Sequence, residues 1–279
     1  MLVSCEIMGG LGNQIFQIFA TIAYSIRHNF KFVFPYKKRN IDTRMSSLYW
    51  DNLLKPLKIF TSNGFLNGNM YKEPYFKFAN IPNFSHITNT LILNGYFQSH
   101  KYFESEYKEI CKLIYLEFQQ NKIRELFPND YDNTVSLHFR IGDYSNLSEH
   151  HPVMPISYYL NTLHSLIEKT NRDDWNILYF YEKNDEARVH VMISIMKTKF
   201  PKLKYTPINH NLEDWQQLLA MSCCHHQIIA NSSFSWWGAY FNANPSKIVY
   251  YPNVWFGQAL SQHDTSDLCP ESWIKTNIR

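Results

Sequence analysis

From Thr134 onward, short apolar runs alternate with helix-like stretches. Thr134 to Phe139, Asn176 to Tyr181, Lys202 to Thr206, Gln227 to Ala230 and Lys247 to Tyr251 read as strands, with helical patterns at 155–169, 184–198, 212–222 and 234–243 between them. Parallel strands need a crossover of about a dozen residues, and a helix of that length follows nearly every run. This half therefore predicts a doubly wound parallel α/β sheet. The first half opens the same way, with a strand at Leu2 to Ile7, a glycine loop, a helix from about Asn13 and a strand at Lys31 to Phe34. It then turns irregular: 61–90 reads as a surface excursion, Thr90 to Phe97 as a strand and 101–126 as helical. The polar segment 127–133 is the candidate linker, which gives domains 1–130 and 131–279. The chain's 279 residues suit two domains at roughly 150 residues each. Two Rossmann-like halves would face each other across a cleft, with ligands beyond the carboxyl ends of the strands.

Composition narrows the partners. A net charge of +3 comes without the basic stripe of a nucleic-acid binder, and the densest run, Lys37-Lys38-Arg39, reads as a solvated loop. Glu6 stands where a signal peptide carries basic residues. The apolar stretch Ile15 to Ile26 is broken by Gln17, Thr21 and Ser25 and is short for a membrane span. Five cysteines without C-x-x-C spacing argue for reduced thiols, so the expectation is a soluble, cytoplasmic protein. Aromatic residues make up 16% of the chain, a surface that suits cores and sugar faces alike.

Three loops follow strands. Gly9-Gly10-Leu11-Gly12-Asn13-Gln14 lets the backbone turn tightly and opens a helix whose free N–H groups attract anions. It is neither a dinucleotide fingerprint nor a P-loop, and a plain turn with Asn13 as helix cap is an equal reading. In the second loop, alternation through Phe139 puts His138 and Arg140 on one side, and Gly142 releases the chain. Arg140 is placed to grip a pyrophosphate with its planar fork, and an Arg140–Asp143 pair bracing the turn is the other reading. In the third, Asn231-Ser232-Ser233-Phe234 enters a helix start carrying Trp236 and Trp237, where hydroxyls and N–H groups converge on any phosphate present.

Together these motifs resemble glycosyltransferase family 11, the α-1,2-fucosyltransferases. The ordered set Gly-Gly-Leu-Gly-Asn-Gln, His-Phe-Arg-Ile-Gly-Asp-Tyr and Asn-Ser-Ser-Phe-Ser-Trp-Trp-Gly-Ala carries the resemblance over nearly the whole chain, with Met154 to Tyr159 after the middle motif. The resemblance implies a two-domain GT-B fold and inverting transfer of fucose from GDP-β-L-fucose to the 2-hydroxyl of a terminal β-galactose. No metal or other cofactor is implied. Arg140 maps onto the first arginine of a His-x-Arg-Arg-x-Asp motif that holds the donor's pyrophosphate. The second arginine is Ile141 here. Asn13 would lie near the pyrophosphate and reacting centre, with Gly10, Gly12 and His138 beside the donor. Asn231, Ser232, Ser233 and Phe234 would line its pocket, and Asp214 would reach the nucleotide.

The proton acceptor is sought in the loop after the middle strand, at Asp143 or Glu149, with His150 and His151 also there. Asp130-Tyr131-Asp132 has the Asp-x-Asp spacing of a metal-dependent enzyme but precedes a strand, and it reads as linker. His225 and His226 are expected on opposite faces of a strand, which disfavours joint metal ligation. Tyr71, Tyr75, Phe76, Phe78 and Tyr96 are candidates for the acceptor sugar's face. Two other functions fit the same residues: a non-catalytic GDP-sugar or glycan-binding module, and a transferase using a different GDP-sugar.

Overall fold

The computed structural model describes residues 1–36, 48–64, 66–86 and 89–278; the basic run Lys37-Lys38-Arg39 lies outside them. The chain forms two units, Met1–Gln119 with His263–Pro270, and Gln120–Gln262 with Glu271–Arg279.

In the first unit the elements run β1 (Leu2–Cys5), α1 (Leu11–Arg27), β2 (Lys31–Phe32), β3 (Phe34–Pro35), β4 (Thr61–Ser62), β5 (Gly68–Lys72), β6 (Thr90–Asn94) and α2 (Tyr107–Leu113). A parallel sheet has the order β2-β1-β6-β5, and β3 pairs with β4. Helix α1 is buried on almost every face, as a helix that runs through a core must be, and its buried polar side chains therefore need partners. Phe16 and Phe19 meet Phe103 at ring separations of 6.0 and 5.6 Å. Two of the polar interruptions are satisfied inside the helix, with Thr21 and Ser25 hydroxyls donating to the carbonyls of Gln17 and Thr21, while Gln17 bonds Met8 in the loop before it. No helix among the described residues is long and apolar enough to cross a membrane.

Two expectations fail here. The supposed excursion over 61–90 contains strand β5, which aligns with the whole of β6 and was hidden because it is an exposed edge strand without apolar alternation. The helix expected over 101–126 is two helices, α2 and α3 (Leu116–Leu126), separated by Tyr115 with φ +51°, a left-handed residue that no helix interior accommodates. The chain passes between units within α3.

The second unit continues with β7 (Thr134–His138), α4 (Ile156–Thr170), β8 (Asn176–Phe180), α5 (Glu186–Lys199), β9 (Lys204–Pro207), α6 (Asp214–Cys223), β10 (His226–Ile228), α7 (Ser233–Tyr240), β11 (Val249–Pro252) and β12 (Ile274–Thr276). All six strands are parallel, in the order β12-β11-β10-β7-β8-β9. This is the α/β class expected, and each predicted strand falls within two residues of an observed one. The final strand, β12, is additional. Val135, Leu137, Phe139, Ile177 and Tyr179 pack with Tyr158, Tyr159 and Leu163 of α4 in one buried cluster. Asn171, left-handed at φ +50°, ends α4. Gly238 lets α7 approach α6, since a Cβ there would lie 2.8 Å from Cβ of Met221.

All five cysteines are free thiols, and Cys223 and Cys224 are buried at the end of α6. Tyr131, in the supposed linker, is buried in a short 3-10 turn leading into β7. The side chains of His225 and His226 do not diverge: their rings meet edge to face at 4.4 Å, because β10 begins only at His226. His226 Nδ1 accepts the Ile248 N–H.

Candidate active site

Strand order decides where a doubly wound sheet binds its ligand. In the second unit the chain runs outward from β7 through β8 to β9, then returns to place β10 against the other side of β7. Connections leave in opposite directions at the carboxyl ends of β7 and β10, which opens a crevice there. The middle and third sequence loops are the two lips of that crevice.

At the β7 lip, His138 ends the strand and is buried. Burial, with the Arg140 charge adding, pushes its pKa down to about 3, so the ring is neutral near pH 7. Its Nδ1 is buried and without a hydrogen-bond partner, while its backbone carbonyl accepts from the Tyr159 hydroxyl at 3.0 Å. Arg140 lies two residues further, with its side chain 27% exposed. It bonds Oδ1 of Asp143 at 2.7 Å and also the Glu182 carboxylate at the end of β8. The turn-bracing pair with Asp143 is thus present, and a second carboxylate that sequence reading did not single out joins it. One face of the guanidinium covers the Tyr144 ring at 5.0 Å, and Tyr144 stacks on His151 at 4.8 Å. Burial pulls the His151 pKa below its usual value. Ile141 turns inward, 3% exposed, into the core cluster. Glu149 is exposed, and its backbone carbonyl accepts from Ala259 N–H at 2.8 Å.

At the β10 lip, Asn231 is buried and donates through Nδ2 to the carbonyls of Pro152 and Trp255 at 3.0 and 3.1 Å. The Tyr144 hydroxyl donates to its backbone carbonyl at 3.2 Å. Asn231 thus ties three loops of the crevice together, while its Oδ1 is buried and unbonded. Ser232 occupies the N-cap of α7, but its hydroxyl makes no capping hydrogen bond. Ser233 and Phe234 form the first turn, both partly exposed, and the Phe234 ring lies 5.7 Å from that of His138. Trp236 and Trp237 are fully buried, so both are core residues. Asp214 is exposed at the first position of α6, behind a capping box made by Glu213 and Gln216.

The first unit has its own reversal point, between β1 and β6. Helix α1 starts at Leu11 with Gly10 as N-cap, so Asn13 is a first-turn residue and not the cap. Gln17 grips the loop through Met8, accepting its N–H at 2.8 Å and donating to its carbonyl at 3.2 Å. Gln14 Nε2 donates to the Gly9 carbonyl. Gly12 is buried in the helix's first turn. Asn13 Oδ1 accepts from Nε2 of Gln98, just past β6, at 2.8 Å. Gln98 was missed from sequence, although it follows a strand and the rule that found the other loops applies to it. Of the aromatic candidates, Tyr75 and Tyr96 are exposed. Phe76 instead meets His263, Phe78 meets Tyr102, and Tyr71 meets Phe84.

Gly9 has φ +71°, and a Cβ there would collide with the Asn13 side chain. Gly9→Ala is expected to cost about 1–2 kcal/mol for the left-handed backbone alone and to displace Asn13. A drop in the thermal midpoint together with lost turnover checks this.

Several known proteins resemble the chain. Alpha-1,2-colitosyltransferase of Escherichia coli is 25% identical over 300 residues, covering 98% of each chain. O-antigen biosynthesis glycosyltransferase WbnK of Escherichia coli is 27% identical over 326 residues, covering 98% of this chain and 99% of the relative. The GDP-bound structure of a mutant Arabidopsis thaliana FUT1 aligns with 90% of this chain and 70% of its own, at 11% identity and a TM-score of 0.49. Residues 3–276 match glycosyl transferase family 11. That match runs from the first strand of the first unit to the last strand of the second, and on it the chain belongs to glycosyl transferase family 11 and is a glycosyltransferase.

Proposed function

We propose that the protein transfers L-fucose from GDP-β-L-fucose to the 2-hydroxyl of a terminal β-galactose, with inversion and without a metal or other cofactor. The observation that carries this reading is the crevice between β7 and β10. Arg140 supplies a cation there, and α7 opens beneath a Ser232 hydroxyl that is not spent on capping. His138 Nδ1 and Asn231 Oδ1 add buried polar atoms still lacking partners. Buried polar groups of this kind are usually hydrogen-bonded, and a nucleotide-sugar offers the hydroxyls and phosphate oxygens to do it.

Inversion requires the acceptor hydroxyl to attack the anomeric carbon opposite the departing GDP. As that bond breaks, negative charge grows on the pyrophosphate. Arg140 and the first-turn N–H groups of α7 would stabilise it in place. The neutral His138 ring adds no charge and would hydrogen-bond the donor, with Phe234 against it. The hydroxyl's proton would pass to a carboxylate of the 142–151 loop. Asp143 is engaged by Arg140, which favours Glu149. Asn13 enters this reading through the resemblance, with its amide orientation set by Gln98. Gly10 and Gly12 keep the backbone beside it open. Asp214 would meet the nucleotide from the start of α6.

The likeness to a colitosyltransferase favours a second reading, colitose in place of fucose. One assay separates the two. The protein is incubated with lactose and either GDP-fucose or GDP-colitose in EDTA, and products are identified by mass and linkage analysis. An α-1,2-fucosylated product is expected. Product from GDP-colitose alone selects the second reading, and no product from either donor across a panel of β-galactosides refutes both.

A further inference from the structure

The contacts around Arg140 raise a question that the transfer reaction does not answer: why a residue meant for phosphate is held by two carboxylates. Asp143 belongs to the same turn and braces it. Glu182 is different, because it arrives from the end of the neighbouring strand β8 and its seat is built for it. Gly142 faces it, and a Cβ at that position would lie 2.6 Å from Glu182 Oε2. The Gly142 N–H is in turn held by Asp185 Oδ2 at 2.8 Å, which fixes the backbone that Glu182 passes. Any side chain at position 142 would therefore push the Glu182 carboxylate away from Arg140.

We propose that Glu182 is an internal anion seated on Arg140 that sets the protein's affinity for a nucleoside diphosphate, because the ligand's phosphate must displace it. This rests on the reading that Arg140 binds the donor's pyrophosphate. With one cation and two carboxylates, the group as it stands has a net negative charge and repels a diphosphate. Once Glu182 swings away, the guanidinium presents its planar fork to phosphate oxygens, while Asp143 and the Tyr144 ring keep it in position. The exchange is cheap: the Arg140 and Glu182 side chains are 27% and 49% exposed, and pairs that solvated contribute little. Glu182 acts through Arg140 and does not touch the ligand, so it is a positioning residue.

The test is calorimetric titration of GDP into the wild type, Glu182→Gln, Arg140→Ala and the double variant. Glu182→Gln keeps the side chain's size and removes its charge. It is expected to bind GDP roughly three- to tenfold tighter, the scale of one lost like-charge and competing contact at a part-exposed site. The gain should shrink in the Arg140→Ala background, where only the like-charge part remains, since the competition runs through Arg140. Unchanged or weaker GDP binding by Glu182→Gln, with Arg140→Ala still weakened, overturns the proposal and leaves the role of Arg140 standing. A gain of undiminished size in the double variant also overturns it. Wild-type affinity in Arg140→Ala refutes the role of Arg140 itself.

Discussion

Arg140→Ala is expected to lower turnover by on the order of a hundredfold or more, the range seen when one preorganised donor to a developing anion is removed. The charge that Arg140 would stabilise grows as the GDP leaves, so the contact strengthens toward the transition state. Loss of such a contact lowers kcat and kcat/KM together. The fold should tolerate the change. Asp143 and Glu182, the carboxylates left behind, are 57% and 49% exposed and are re-solvated at little cost. Arg140→Lys should recover only part of the rate, because an ammonium lacks the two-pronged donor geometry. Initial rates with GDP-fucose and lactose, alongside a thermal melt, check this. Near-normal turnover in a folded Arg140→Ala protein would sink the assignment.

The largest stability effect is expected at Trp236. Its side chain is fully buried, stacked on Tyr240 at 4.6 Å, edge-on to Trp237 at 5.1 Å and 5.4 Å from Trp273. Trp236→Ala should cost about 3–5 kcal/mol, from lost burial plus a cavity its rigid aromatic neighbours cannot close. Set against a typical domain stability of roughly 5–15 kcal/mol, that takes a large share of the whole. The urea midpoint should fall accordingly, and Trp236→Phe should fall less. A variant unfolding within about 1 kcal/mol of wild type would mean that the cluster repacks. The same helix carries Ser232 to Phe234 at its start, so the loss should reach donor binding as well.

The two halves of the chain differ in how openly they display their folds. Strands β7, β8 and β10 are buried in mid-sheet, and the mostly apolar runs that hold them, such as Ile177-Leu178-Tyr179-Phe180 and Ile228-Ile229-Ala230, stand out between helical patterns. Strand β5 sits at an edge with most of its residues exposed. Burial exerts no demand on its residue types, and nothing in Gly68-Asn69-Met70-Tyr71-Lys72 marks it as a strand. The break between α2 and α3 escapes for a related reason: Tyr115 is an ordinary helical residue by type, and only its left-handed backbone ends the helix.

The site divides along the same line. The loops themselves were legible, because a glycine turn, an arginine at a strand end and an Asn-Ser-Ser helix start are chemistry written in contiguous residues. Family membership was legible too, since the order of those loops along the chain is a property of sequence. What only the tertiary structure decided is which of them are neighbours. Placing β10 beside β7 brings Asn231 and Ser232 to the same crevice as His138 and Arg140, although some ninety residues of chain separate them. The contacts Glu182–Arg140 and Gln98–Asn13 likewise span 42 and 85 residues. Local propensity and periodicity act over a few residues. Strand order is set by how whole sheets bury their faces, and so the partners of each functional side chain appear only once the chain has folded.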